Sequence, residues 1–174
     1  MRGLTAWLGL APATPREEHS PLRDVIAALE RLEPSRARHL ARFAYLLGRV
    51  AHADRHVSAE ETAAMERLVR EEGNLSEEQA ILVVGLARSS NQLFGSVADF
   101  EVARDFAGQA TYEEKLALAR CLFAVAASDA SISMTEETEI HRILTQLRIE
   151  PQDLTALRVA HREFLPGLNT PPRD

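Results

Sequence analysis

FAYLLGRVAHADRHVSAEETAAMERL, residues 43–68, and LARCLFAVAASDASISMTEETEIHRI, residues 118–143, are one pattern written twice. A shift of 75 places Val50 and Ala51 on Val125 and Ala126, Asp54 on Asp129, Val57 on Ile132, Ser58 on Ser133 and Glu61 on Glu136. In the first copy Phe43, Leu47, Val50 and Asp54 stand at i, i+4, i+7 and i+11. In the second, Leu118, Leu122, Val125 and Asp129 do the same. That spacing is the stripe of an α-helix, so each Asp ends one apolar stripe. Each Glu begins the next, Glu61 with Met65 and Leu68 and Glu136 with Ile140 and Ile143. Two copies of a helix, an acidic corner and a second helix predict a duplicated all-α fold.

Working outward, helix-start signals recur. Ser58 with Glu61, Ser76 with Gln79, Thr111 with Glu114 and Ser133 with Glu136 fit the S/T-x-x-E/Q capping box. In that box each partner satisfies a backbone N–H of the other. Ser20 and Pro21 open a helix that Pro34 closes, because the residue before a proline avoids helical geometry. Ser35 is expected to cap a long helix running to about Asp54. Further helices are expected over Asp99 to Gln109 and from about Gln152 to Leu165, the last with Leu154, Leu157, His161 and Phe164 on one face. The run ILVVGLA, 81–87, is apolar nearly all round and reads as a central buried helix. The expectation is a single-domain bundle of seven to eight helices in two pseudo-symmetric halves. Residues 1–20 form a short apolar segment and linker, 21–166 the helical domain, and 167–174 a disordered tail.

Composition agrees with helices: aromatic residues make up 5% of the 174, and Ala, Leu, Glu and Arg abound. A net charge of -6 argues against nucleic acid as a partner. Cys121 is the only cysteine, which excludes a disulfide framework and a cysteine-rich zinc site and makes a reducing, cytoplasmic setting the default. No apolar run approaches the roughly 20 residues of a transmembrane helix. The start, MRGLTAWLGLAPATP, is too short and too broken for a signal peptide. Leu4, Trp7 and Leu8 share one face of a short helix there, which leaves a weak peripheral membrane contact or a partner peptide as its sharper reading.

Four carboxylates, Asp54, Glu61, Asp129 and Glu136, therefore sit at helix corners beside the core. They are hard oxygen ligands suited to Ca²⁺, Mg²⁺ or Mn²⁺, yet two per loop fall far below an EF-hand, whose D-x-D-x-D-G pattern is absent. An Asp at a helix C-terminus also faces the negative end of the macrodipole, so a loop N–H, a bound cation or an arginine such as Arg49, Arg55 or Arg120 should compensate it. The bland alternative makes each Glu the N3 member of its capping box and each Asp a cap for loop amides. His52 and His56 flank Asp54, but residues two apart on a helix diverge by about 200 degrees, and the second corner has no counterpart histidines. They read as solvent-exposed polar residues, as do His39, His141 and His161.

The pattern L-x-x-V-A-x-A-D-x-x-V-S-x-x-E at 47–61, repeated as AVAASDASISMTE at 124–136, resembles the two acidic corners of the TerB-like tellurite-resistance proteins. The segment order agrees over roughly residues 35 to 150. The resemblance implies an all-helical, non-enzymatic protein whose corner acids, Asp54 and Glu61 in one half and Asp129 and Glu136 in the other, bind divalent cations. It also implies a protein partner and a stress-response or envelope-associated setting, cytoplasmic or peripheral to the inner membrane. The family has Gly after each Asp, where φ is positive, and this chain has Arg55 and Ala130. A side chain there costs about 1 kcal/mol, which predicts loops of different shape. An enzyme finds no support: there is no phosphate-binding glycine loop, no G-x-S-x-G and no H-E-x-x-H. A helical adaptor or co-chaperone-type module with purely structural corners is the competing reading, without J-domain activity of its own because no HPD tripeptide occurs.

Overall fold

The computed structural model describes residues 21–51, 59–93 and 98–165, with the backbone alone at 21–23, 59–61, 89–93, 98–100 and 129. Eight α-helices occur among them: α1 (Pro21–Glu30), α2 (Pro34–Gly48), α3 (Ala59–Gly73), α4 (Glu77–Leu93), α5 (Ala98–Gln109), α6 (Tyr112–Ala126), α7 (Met134–Gln146) and α8 (Pro151–Ala160). Two 3₁₀ turns, Ala127–Asp129 and Arg162–Phe164, follow α6 and α8. The all-α expectation holds.

Local chemistry sets the helix starts. Thr111 and Ser133 close full capping boxes with Glu114 and Glu136. Ser76 and Gln79 exchange the same pair of bonds at the start of α4. Ser58 of the fourth box lies outside the described residues. The start of α2 differs from expectation. Glu33, not Ser35, is the N-cap, and its carboxylate accepts the N–H groups of Ser35 and Arg36. Pro34 occupies the first turn, where a missing N–H costs nothing, so the residue read as closing α1 in fact opens α2. The helix also stops at Gly48 rather than Asp54, although Arg49, Val50 and Ala51 still donate to carbonyls of the last turn.

The ends of α3 and α7 repeat each other. Asn74 (φ 50°) and Arg148 (φ 58°) turn left-handed, and the next residue, Leu75 or Ile149, donates to the carbonyl five residues back, Arg70 or Leu144. That is a Schellman end, and the apolar residue after it is buried in both copies.

Packing follows the duplicated stripes. Phe43, Leu47 and Val50 of the first copy and Leu118, Leu122 and Val125 of the second are all buried. Every residue of α2 from Leu40 to Gly48 is buried. This makes α2 and its equivalent α6 the centre, with α4 against α2, α5 against α2, and α3 bridging α6 and α4. Tight contacts mark the crossings. A Cβ on Gly85 of α4 would meet a Val25 methyl of α1 at 3.0 Å, and one on Gly73 would meet Cys121 Sγ at 3.3 Å. The 81–87 run is central as expected at Val83, Val84, Leu86 and Ala87, but Ile81 faces outward, 45% exposed.

Two histidines correct the reading of solvent-exposed polar residues. His39 is half-buried, its ring 5.1 Å from that of Phe106. His161 stacks on Phe123 at 5.2 Å and 19°. Flat apolar ring faces are buried in both cases while the nitrogens keep polar neighbours. His141 is exposed, as expected, and His52 and His56 lie outside the described residues.

Candidate functional site

The second acidic corner runs from the end of α6 to the first turn of α7. Ser128 Oγ donates to Val125 O at 2.7 Å, and the 3₁₀ turn ends at Asp129. Ala130 then turns left-handed, φ 61° and ψ 12°, and its N–H donates to Ala127 O at 3.0 Å. The corner therefore takes at Ala130 the positive φ that glycine adopts freely, and the expectation of a different loop shape fails at this position. Ile132, two residues on and 2% exposed, plugs the corner into the core. Its N–H donates to Phe164 O at 2.7 Å, tying the corner to the 3₁₀ turn after α8.

Glu136 is placed by the capping box. Its Oε2 accepts the Ser133 N–H at 2.8 Å, while Ser133 Oγ accepts the Glu136 N–H at 3.2 Å. A carboxylate used in this way is fixed in position but has committed one oxygen to the backbone. Of the other candidate ligands, the side chains of Glu61 and Asp129 and all of Asp54 lie outside the described residues. Among the described residues no three His, Cys, Asp or Glu side chains gather in a metal-holding group.

The arginines have definite partners. Arg49, at the end of α2 and 9% exposed in its side chain, donates through Nε to Glu139 Oε1 at 2.6 Å, with Nη2 at 2.5 Å from the same oxygen. Glu139 stands one turn beyond Glu136 on α7, so this largely buried pair joins the helix entering the first corner to the helix leaving the second. Sequence reading missed Glu139; its i+3 spacing from Glu136 was the available signal. Arg120 pairs with Glu113 at 2.9 Å and lies 3.8 Å from Glu72. Arg55 lies outside the described residues.

A second polar cluster sits where α2, α4, α5 and α6 meet. Arg36 Nη2 donates to Gln79 Oε1 at 2.8 Å and Nη1 lies 3.9 Å from Glu114, so one guanidinium touches the N3 side chain of two capping boxes. His39 Nε2 is 3.8 Å from the same Glu114. Burial pushes the His39 imidazole below its ordinary range, against the pull of Glu114 and with the push of Arg36 and Arg42. Burial works to raise the Glu114 carboxyl, but the Thr111 N–H, His39, the Thr111 hydroxyl and Arg36 together hold it below the usual range. Cys121 is buried, and burial pushes its thiol up to about 12, which removes it as a nucleophile or metal ligand at neutral pH. No described helix is long and apolar enough to cross a membrane.

No curated protein and no solved structure matches the chain. Residues 41–159, about two thirds of its length, match the family model of tellurite resistance protein TerB. That span holds both corners, the helices α3 to α7 and all but the last residue of α8, and it agrees with the all-helical architecture built from them. The chain belongs to the TerB family.

Proposed function

We propose that this chain is a non-enzymatic binding protein whose two acidic corners take up a hard divalent cation, Ca²⁺, Mg²⁺ or Mn²⁺, through Asp54, Glu61, Asp129 and Glu136. The observation that carries the reading is the geometry of the second corner: Asp129 closes the 3₁₀ turn after α6, Ala130 takes the left-handed shape that glycine would adopt there, and the Glu136 carboxylate is fixed in the first turn of α7. The duplicated corner in a TerB-family chain supports the same role for the first half. A cytoplasmic, stress-response role exercised through a protein partner accompanies this reading, with an envelope-associated setting as its variant.

One observation favours a second reading, a helical adaptor with purely structural corners: Glu136 already spends an oxygen on its own capping box. A thermal-shift series on EDTA-treated protein with each cation, and with Zn²⁺ as a softer control, separates the two. A ligand at one hundred times its Kd stabilises by about 2.7 kcal/mol and raises the midpoint by roughly 5–10 °C in a domain this size. Under the cation reading, wild type responds and the doubly substituted Asp54→Ala, Asp129→Ala protein stays folded without responding. No response from wild type to any hard cation refutes it in favour of the adaptor.

A further inference from the structure

Among the described residues the two halves differ clearly in their fourth helix. α4 buries Ala80, Val83, Val84, Leu86 and Ala87, whereas its counterpart α8 buries none of its residues. Past Ile149 the one buried described residue is Leu165, 2% exposed, beyond the end of α8. Several separate fastenings hold residues 150–165 down. Tyr112 Oη donates to Asp153 Oδ2 at 2.5 Å and accepts the Glu150 N–H at 3.1 Å. Arg158 Nη2 donates to Glu137 at 2.6 Å, and Leu154, Leu157 and Phe164 rest half-buried on the core. His161 covers the Phe123 ring. The last fastening is the Ile132 N–H to Phe164 O bond, the one described backbone bond outside the helices that joins segments distant in sequence.

We infer that residues 150–165 are a clip that opens as one unit and, in opening, releases the second acidic corner. A segment with a single buried anchor, edged by exposed polar links, belongs to the low-stability end of local unfolding, while α2 and α6 belong to the global end. Opening the clip removes the acceptor of the Ile132 N–H and uncovers the Phe123 ring. The shape of the corner that begins at Asp129 is thereby conditional on the C-terminal turn, and anything that captures that turn resets the corner. The device is a property of the fold and holds whether or not a cation binds.

Native-state hydrogen exchange on the full chain tests this, read at the Ile132 amide, the α8 amides and the α2 amides. Two variants loosen opposite ends of the clip: Leu165→Ala removes the anchor after α8, and the milder Tyr112→Phe removes the fastening before it. Leu165→Ala is expected to accelerate Ile132 and α8 together by about thirty-fold or more, with α2 protection retained. Tyr112→Phe is expected to accelerate the same two groups by a common factor of about five. An Ile132 amide that stays protected while α8 exchanges faster, in either variant, overturns the clip. Equal acceleration of the α2 amides in both variants overturns it as well, because the segment would then unfold only with the whole domain.

Discussion

Replacing Arg148 with glycine should stabilise this protein, although it deletes an entire charged side chain. Arg148 is exposed and its side chain makes no hydrogen bond or ion pair with the described residues, while its backbone N–H bond to Thr145 O at 3.1 Å survives the change, so little is lost in contacts. Its backbone, at φ 58°, sits where an L side chain costs about 1–2 kcal/mol and glycine pays no steric penalty. Against that gain stands the extra freedom glycine brings to the unfolded chain, about 0.4–1 kcal/mol. The net expectation is a gain of about 0.5–1 kcal/mol. Ala130, exposed at φ 61°, should give a similar gain as Ala130→Gly, whereas Asn74→Gly should change stability by only a few tenths of a kcal/mol because asparagine visits this region cheaply. The Arg148→Gly, Ala130→Gly double variant, its two sites at different corners, should add to about 1–2 kcal/mol and raise the melting midpoint by roughly 2–8 °C. Urea denaturation provides the assay, read as a shifted midpoint at constant slope. Arg148→Ala is the control that removes charge and length but keeps the Cβ, and it should leave stability within about 0.5 kcal/mol of wild type. Equal shifts for Arg148→Gly and Arg148→Ala would refute the conformational argument, and a loss of stability in both glycine variants would show that these positions are not left-handed in solution.

Ser133→Ala breaks the capping box of α7 and should cost about 1 kcal/mol, while Ser133→Gly should cost only a few tenths, both measured by urea denaturation; no loss in Ser133→Ala would mean the hydroxyl contributes nothing as a cap. The His39 imidazole, held low by burial, is charged more readily in the unfolded chain. Its contribution to stability is therefore present above about pH 6.5 and is lost as pH falls from there toward its folded value. The Glu114 carboxyl, also lowered, adds a second loss that begins below about pH 4.5. The melting midpoint followed from pH 7.5 downward should fall in both windows, and His39→Gln should flatten the upper one and, because His39 helps hold Glu114 low, shrink the lower one; an unchanged upper window in that variant would rule His39 out as its source. Cys121 should resist a thiol reagent for hours in native buffer at pH 8 and react fully in urea, and labelling within minutes of a protein with intact far-UV dichroism would contradict its burial.

What the sequence reveals here depends on how far each interaction reaches along the chain. Capping boxes span four residues and apolar stripes span two or three turns, so the starts of α4, α6 and α7 and the central places of Phe43, Leu47, Leu118 and Leu122 can all be read from spacing. Pro34 shows the limit of a local rule that serves two purposes. Its restriction on Glu33 is real, but a proline that ends one helix is equally suited to the first turn of the next, and Glu33 is not a residue that announces itself as a cap. His39 lies four residues before Phe43 on the α2 stripe and could have been placed on the buried face; that Phe106 and Glu114 meet it there is set by packing between helices some seventy residues apart. The duplicated corner carries both lessons. Its apolar pattern repeats faithfully because each half must bury the same stripe, while partners that arrive from elsewhere in the chain are not written in the repeat. Arg49 reaches across to Glu139, and Ile132 is bonded to a turn 32 residues later. An internal repeat therefore forecasts the helices of both halves, but equivalence of their acidic corners does not follow from it, since the second corner is fastened by a C-terminal turn whose helix, unlike α4, never enters the core.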